Sequence, residues 1–270
     1  MGKRQVLVIG SNATRIEVRS HGTAATGQYL NETVVPAMAL LGAGFDVVLA
    51  TPHGTKPHID EASRSADHFG GDEMAYDRAE AFYADHPAMN RVRTLRSVID
   101  QGLETYAGVF VPGGQAPAVD LMQDPETGEI LRHFHARAKP TALLCHGPIA
   151  IAAAMPHARE FRAALMAGDS AKAASLAKGW PYAGYKMTVF SPTEEKVIED
   201  NLLHDKLYFQ MVDALKIAGG DVSTNPVNFA PHVIEDRELI TGQNPRSDHP
   251  IAAKLIQALQ HAVALDRGLA

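Results

Sequence analysis

Cysteine is nearly absent from this 270-residue chain, which has one, Cys145. A lone cysteine cannot close an intrachain disulfide, so the core must carry stability and the thiol is free. No block of five or more basic residues occurs, and the formal net charge is −6. That balance removes the attraction toward phosphate backbones and anionic lipid, so neither nucleic acid nor membrane is an expected partner. No apolar run approaches the ~20 residues needed to cross a bilayer. The opening MGKRQVLVIG passes into a strand pattern without a cleavage-site signature, so the chain reads as cytoplasmic. Internal repeats and low-complexity tracts are also missing.

What is present is an ordinary globular balance, 46% hydrophobic and 21% charged. It predicts a single domain over residues 1–270. Gln5 to Gly10 reads as a buried strand, Asn31 to Leu41 as a helix stopped by glycines, and Phe45 to Ala50 as a second strand. The alternation returns with a strand at Gly108 to Val111, a helix through Ile130 to Ala138 and a strand at Pro140 to Leu144. A fourth round is expected from strands at Ala218 to Ser223 and Leu239 to Thr241, then a last helix from Pro250 to Leu265. Repeated β-α units predict an α/β fold with a mostly parallel sheet covered on both faces. Segments near 53–87 and 157–182 break the rhythm and read as peripheral insertions able to roof a site or form a subunit contact.

Cys145 follows the apolar strand TALL and opens the turn Cys145-His146-Gly147-Pro148, ahead of the helix-like run IAIAAA. A nucleophile there sits on a strained strand-to-helix elbow that exposes its side chain. A helix N-terminus would also favour the thiolate, so the sulfur is expected to be reactive near neutral pH. His146 is the adjacent base, although neighbours on such a turn point in different directions. A base of this kind needs an acid to orient it. Glu194 and Glu195, in KMTVFSPTEEK, are both candidates, and Glu32 lies on the cysteine's rim of the sheet. The turn Val111-Pro112-Gly113-Gly114 exposes backbone N–H groups where an oxyanion could sit. Gly113, Gly114 and Gly147 are therefore the candidate oxyanion and substrate-binding positions.

The segments VFVPGG, LLCHGP and LITGQNPRS together resemble the ThiJ/PfpI superfamily, in its branch of glyoxalase III enzymes and heat-inducible holding chaperones. The resemblance runs from VLVIG to the last helix. It implies a flavodoxin-like three-layer sandwich, a homodimer and no cofactor. It also implies Cys145 as nucleophile, His146 as base, Glu32 beside the thiol and Glu195 orienting the histidine. Relatives commonly read Gly-Gly-His-Gly where this chain has Gly113-Gly114-Gln115-Ala116. The implied reaction is conversion of methylglyoxal to lactate without glutathione. Alternatives are another thiol hydrolase (an amidase, peptidase or protein deglycase) and a holding chaperone with a redox-sensitive cysteine. No metal site is expected, because His53, His58, His68 and His86 match no ligand spacing.

Overall fold

A computed structural model describes residues 4–266 and Gly268. Its strands, in chain order, are β1 (Gln5–Ile9), β2 (Arg15–Val18), β3 (Gly22–Ala25), β4 (Asp46–Thr51), β5 (Arg93–Thr94), β6 (Tyr106–Val111), β7 (Thr141–Leu144), β8 (Lys186–Met187), β9 (Asp221–Val222), β10 (Val233–Asp236) and β11 (Leu239–Gly242). The central sheet has the order β10-β11-β7-β6-β1-β4-β5. Every pairing in it is parallel except β10 with β11.

All four residues of β7 are buried, as are the four apolar residues of β1. Parallel strands covered on both faces need apolar side chains on both. Alternate residues feed two cores. Leu7, Ile9, Val109 and Leu143 pack on one side, and Val6, Val8, Phe110 and Ala142 on the other. The helices Leu30–Gly42 and Asp248–Asp266 cover the second face, while Pro125–Ala136 and Met211–Ile217 lie over the first. The fold is a flavodoxin-like α/β sandwich.

The fourth β-α round is not as expected. Asp221–Val222 pairs only with Lys186–Met187, in a separate two-stranded sheet. The edge of the central sheet is instead Val233–Asp236, a half-buried antiparallel strand whose mixed side chains give little apolar signal.

The 53–87 stretch folds into two short 3₁₀ turns, Glu61–Ser63 and Ala66–Phe69, and the start of the helical layer at Glu73–Asp85. It is tied to the chain before the helix Leu30–Gly42 by two backbone bonds, Gln28 N to His58 O and Asp60 N to Gln28 O, both 2.8 Å. The 157–182 stretch forms the helices Ala158–Met166 and Ser170–Leu176. Trp180 Nε1 donates to Ile151 O at 2.8 Å, and Arg162 Nε to Ala118 O at 2.9 Å. Among the described residues, no helix is long and apolar enough to cross a membrane.

Candidate functional site

The carboxyl ends of β6 and β7 lie side by side, so the turns that leave them share one rim, where open α/β sheets bind ligands. Cys145 is the first residue past β7 and takes φ of 61°. Left-handed backbone costs a non-glycine residue about 1–2 kcal/mol, and surrounding bonds must hold it. Here Cys145 N donates to Gly242 O at 2.8 Å, and Cys145 O accepts from Phe190 N at 2.9 Å.

The chain then enters a 3₁₀ helix, Gly147–Ala154, whose eight residues are all buried. This corrects the expected α-helix. The small side chains let the segment press against the helix Pro125–Ala136, where a Cβ on Gly128 would lie 2.1 Å from Ala153 O. Against the expected activation by a helix N-terminus stands the burial of the site. Burial pushes the Cys145 thiol well above its ordinary pKa, and the neighbouring Glu32 carboxyl pushes it further. In a site where Cys145 is 2% exposed, desolvation disfavours the thiolate.

Cys145 Sγ lies 3.3 Å from His146 Nδ1, and His146 Nε2 lies 2.6 Å from Glu195 Oε2. A carboxylate accepts, so the imidazole proton sits on Nε2 and leaves Nδ1 free to take a proton from sulfur. Glu195 Oε1 accepts from Gln115 Nε2 at 2.8 Å, fixing the acid in turn. Phe190 stacks on the imidazole with centroids 4.4 Å apart.

Glu194 does different work. As part of a capping box on the helix Pro192–Ile198 it accepts from Ser191 N at 3.0 Å. It also accepts from Gln243 Nε2, Asn244 Nδ2 and Phe229 N, at 2.9, 2.9 and 2.7 Å. Phe229 is itself left-handed, with φ of 59°. Of the two adjacent acids, therefore, Glu195 meets the histidine and Glu194 holds the loop of Phe229.

Glu32 lies in the first turn of Leu30–Gly42, fully buried. Gly113 N donates to its Oε2 at 2.9 Å, and Oε1 has no hydrogen-bond partner. Burial raises its pKa to about 8, against the opposing pull of Cys145 and the Gly113 N–H. Near neutral pH it is a protonated acid beside a thiol.

The three glycines part company. Gly113 has its N–H engaged by Glu32. The Gly114 N–H bonds toward the Cys145 sulfur. Gly114 has φ of 80°, and a Cβ there would lie 2.1 Å from Gly27 O, so only glycine fits. Gly147 faces inward, where a Cβ would meet Val111 O at 2.7 Å. It packs one turn on another and does not line the cavity.

Cys145 and His146 lie in the wall of a cavity of about 340 Å³. Asp60, Ala62, Asp67 and His68 reach it from the 53–87 stretch. No residue of 157–182 does. Among its other walls, Tyr29, Phe229 and the segment Ile198, Leu202, Leu203 come from separate elements and left no pattern in the sequence, whereas Phe190 lies in KMTVFSPTEEK, ahead of Glu195. Gln115 carried one signal, as the amide standing where the family resemblance leads one to expect histidine. His53, His58, His68 and His86 do not gather, and among the described residues no group of three or more His, Cys, Asp or Glu could hold a metal ion.

Fold and site together define an α/β protein with a buried thiol-imidazole-carboxylate array at the carboxyl rim of a parallel sheet. The chain belongs to the DJ-1/PfpI family, whose profile matches residues 24–160. Protein/nucleic acid deglycase HchA of Pseudomonas aeruginosa is 24% identical over 269 residues, which cover 97% of this chain and 83% of the relative. Protein/nucleic acid deglycase 1 of Escherichia coli is 24% identical over 275 residues, with the same two coverages. Among solved structures, glyoxalase III from Candida albicans superposes with a TM-score of 0.70 at 18% identity, covering 96% of this chain and 98% of its own. The Francisella tularensis protein REP24 gives 0.71 at 20% identity, covering 95% and 99%. At such identities the structures show a common fold.

Proposed function

We propose that the protein is a glutathione-independent glyoxalase that converts methylglyoxal to lactate through a hemithioacetal on Cys145. The observation that carries this reading is the contact of Cys145 Sγ with His146 Nδ1 at 3.3 Å, backed by Glu195 at 2.6 Å from Nε2. A thiol whose burial keeps it protonated needs a base at the moment of attack, and Nδ1 supplies it.

In the proposed cycle the sulfur bonds to the aldehyde carbon while its proton passes to His146, and Glu195 stabilises the imidazolium. The alkoxide formed from the carbonyl oxygen lies near the Gly114 N–H and takes the proton back from His146, which is again a neutral base. His146 then removes the proton on the former aldehyde carbon, giving an enediol that is reprotonated on the adjacent carbon. Glu32, with one buried oxygen unpartnered, is placed to hand a proton to the oxygens of that intermediate. The result is a lactoyl thioester, which water cleaves to lactate and free thiol.

The names of the Pseudomonas aeruginosa and Escherichia coli relatives support a second reading, a deglycase that releases dicarbonyl adducts by the same thiol chemistry. The family resemblance adds a homodimer to the proposal, which sedimentation would read. Lactate formation from methylglyoxal without glutathione, with Cys145→Ala and Glu32→Gln beside the parent, tests the main reading. Turnover lost in both variants supports it. A parent that makes no lactate yet repairs glycated peptides moves the assignment to the deglycase.

A further inference from the structure

The cavity is much larger than the reaction demands. At about 30 Å³ for each liquid water, its 340 Å³ holds about ten water molecules, of which methylglyoxal, with three carbons, displaces only part. The surplus space is walled by apolar groups from two built features. One is Phe229, held in a left-handed conformation by the bond from its N–H to the buried Glu194, with its ring 6.3 Å from that of Phe190. Backbone strain of that kind persists only where the surroundings enforce it, and it gathers at ligand clamps.

The other is the π-helical turn Glu199–Leu203, which follows Ile198 and ends at His204 with φ of 49°. Consecutive residues of an α-helix point about 100° apart, yet Leu202 and Leu203 both face the cavity. Widened turns of this sort recur at functional sites. Among the described residues only five large apolar side chains are exposed, and Leu202, at 50%, is the one that lines this cavity. An apolar side chain left wet beside a reactive thiol gains from a ligand that covers it.

The cavity wall also carries charged groups. Asp67 and Arg246 are exposed residues of opposite sign in the cavity wall. Asp60 turns Oδ1 to Ala62 N at 2.9 Å.

Resting on the glyoxalase reading, we infer that the preferred substrate is a 2-oxoaldehyde with a ring-sized apolar substituent. Its aldehyde meets Cys145, and its body lies between Phe229 and Leu202. The chemistry is unchanged. Sulfur adds to the aldehyde carbon, the proton on that carbon moves to its neighbour, and water releases a 2-hydroxy acid, mandelate when the substrate is phenylglyoxal. Leu202 and Phe229 are specificity residues that touch only the substituent.

The test compares kcat/KM for phenylglyoxal and methylglyoxal in the parent, Leu202→Ala and Phe229→Ala. The parent is expected to favour phenylglyoxal, and each variant to reduce the phenylglyoxal-to-methylglyoxal ratio about tenfold, the scale of a lost apolar contact in a pocket. A parent that favours methylglyoxal, or variants that leave the ratio where it was, overturns the inference while the glyoxalase reading stands. If neither compound is turned over, that reading fails, and alkylation of Cys145 still decides whether the cavity favours a ring-sized apolar body. The rate with N-phenyl iodoacetamide relative to iodoacetamide, each normalised to a free thiol, should exceed one in the parent and fall in Leu202→Ala. Equal ratios in parent and variant overturn it.

Discussion

Two histidine-glutamate pairs sit at opposite ends of the same strands. At the carboxyl end of β7, His146 and Glu195 are 2.6 Å apart, with side chains 4% and 1% exposed. At the amino end of β7 and β11, His135 and Glu238 are 2.8 Å apart, and Glu238 also accepts from the Tyr185 hydroxyl at 3.1 Å. The second pair braces the fold by joining the end of the helix Pro125–Ala136 to the start of β11. The pairs are close to identical in local chemistry. What separates them is that the free ring nitrogen of the first meets a thiol on a strained turn inside a cavity. A buried imidazole with its carboxylate is therefore no sign of a reactive centre until its other nitrogen has something to act on.

Removing the carboxylate from each pair should expose this difference most strongly. Glu195→Gln leaves the geometry but cannot hold the imidazolium, and the proposed dicarbonyl turnover should fall about 10³- to 10⁴-fold. Cys145→Ala should lose at least as much. Both are read by steady-state kinetics on protein whose circular dichroism matches the parent.

Next in size is the stability carried by Glu32. Its native pKa of about 8 stands above the ordinary 4.5 of a glutamate side chain, so between those values the native state binds a proton that the unfolded chain has released. Stability therefore falls as pH rises through that window and levels off above about 8. The loss is a few kcal/mol. Glu32→Gln has no such group, so the parent-minus-variant difference in urea unfolding should become less favourable to the parent between about pH 5 and pH 8.5. A difference that is flat with pH would show that Glu32 ionises normally.

Gly114→Ala adds a left-handed strain and a clash with Gly27 O, on the order of 2–3 kcal/mol, and should lower the thermal midpoint along with activity. Smallest is Glu238→Gln at the amino end, expected to cost about 1–2 kcal/mol and to leave turnover within about twofold of the parent, because distant sites act independently. A large catalytic loss there would erase the distinction between the two ends.

Much of the sheet was legible because strands buried on both faces are continuous apolar runs, as VLVI and TALL are. Val233–Asp236 escaped notice because an edge strand needs no such run. The sequence placed Cys145, His146, Glu32 and the Gly113-Gly114 turn on one rim, since each directly follows a strand or opens a helix. The local pattern alone could not decide between Glu194 and Glu195, and the choice of Glu195 came from the family resemblance. Both suit a helix start, and only the direction of the turn tells which one meets the imidazole. The thiol's environment was misread because local order near Pro148 looked helical, whereas burial and the Glu32 carboxyl depend on contacts far along the chain. The cavity walls were invisible for the same reason, with Tyr29, Leu202 and Phe229 meeting only after folding.

The two backbone bonds on Cys145, one to Gly242 and one from Phe190, make the nucleophile a fixed anchor in the laboratory frame of the molecule. When a covalent adduct forms, the backbone beneath the sulfur is held in place, so the side chain, the adduct and the loops above it do the moving. Deuterium should accordingly enter the amides of Cys145 and Phe190 no faster than it enters the middle of the sheet, with or without a substrate attached.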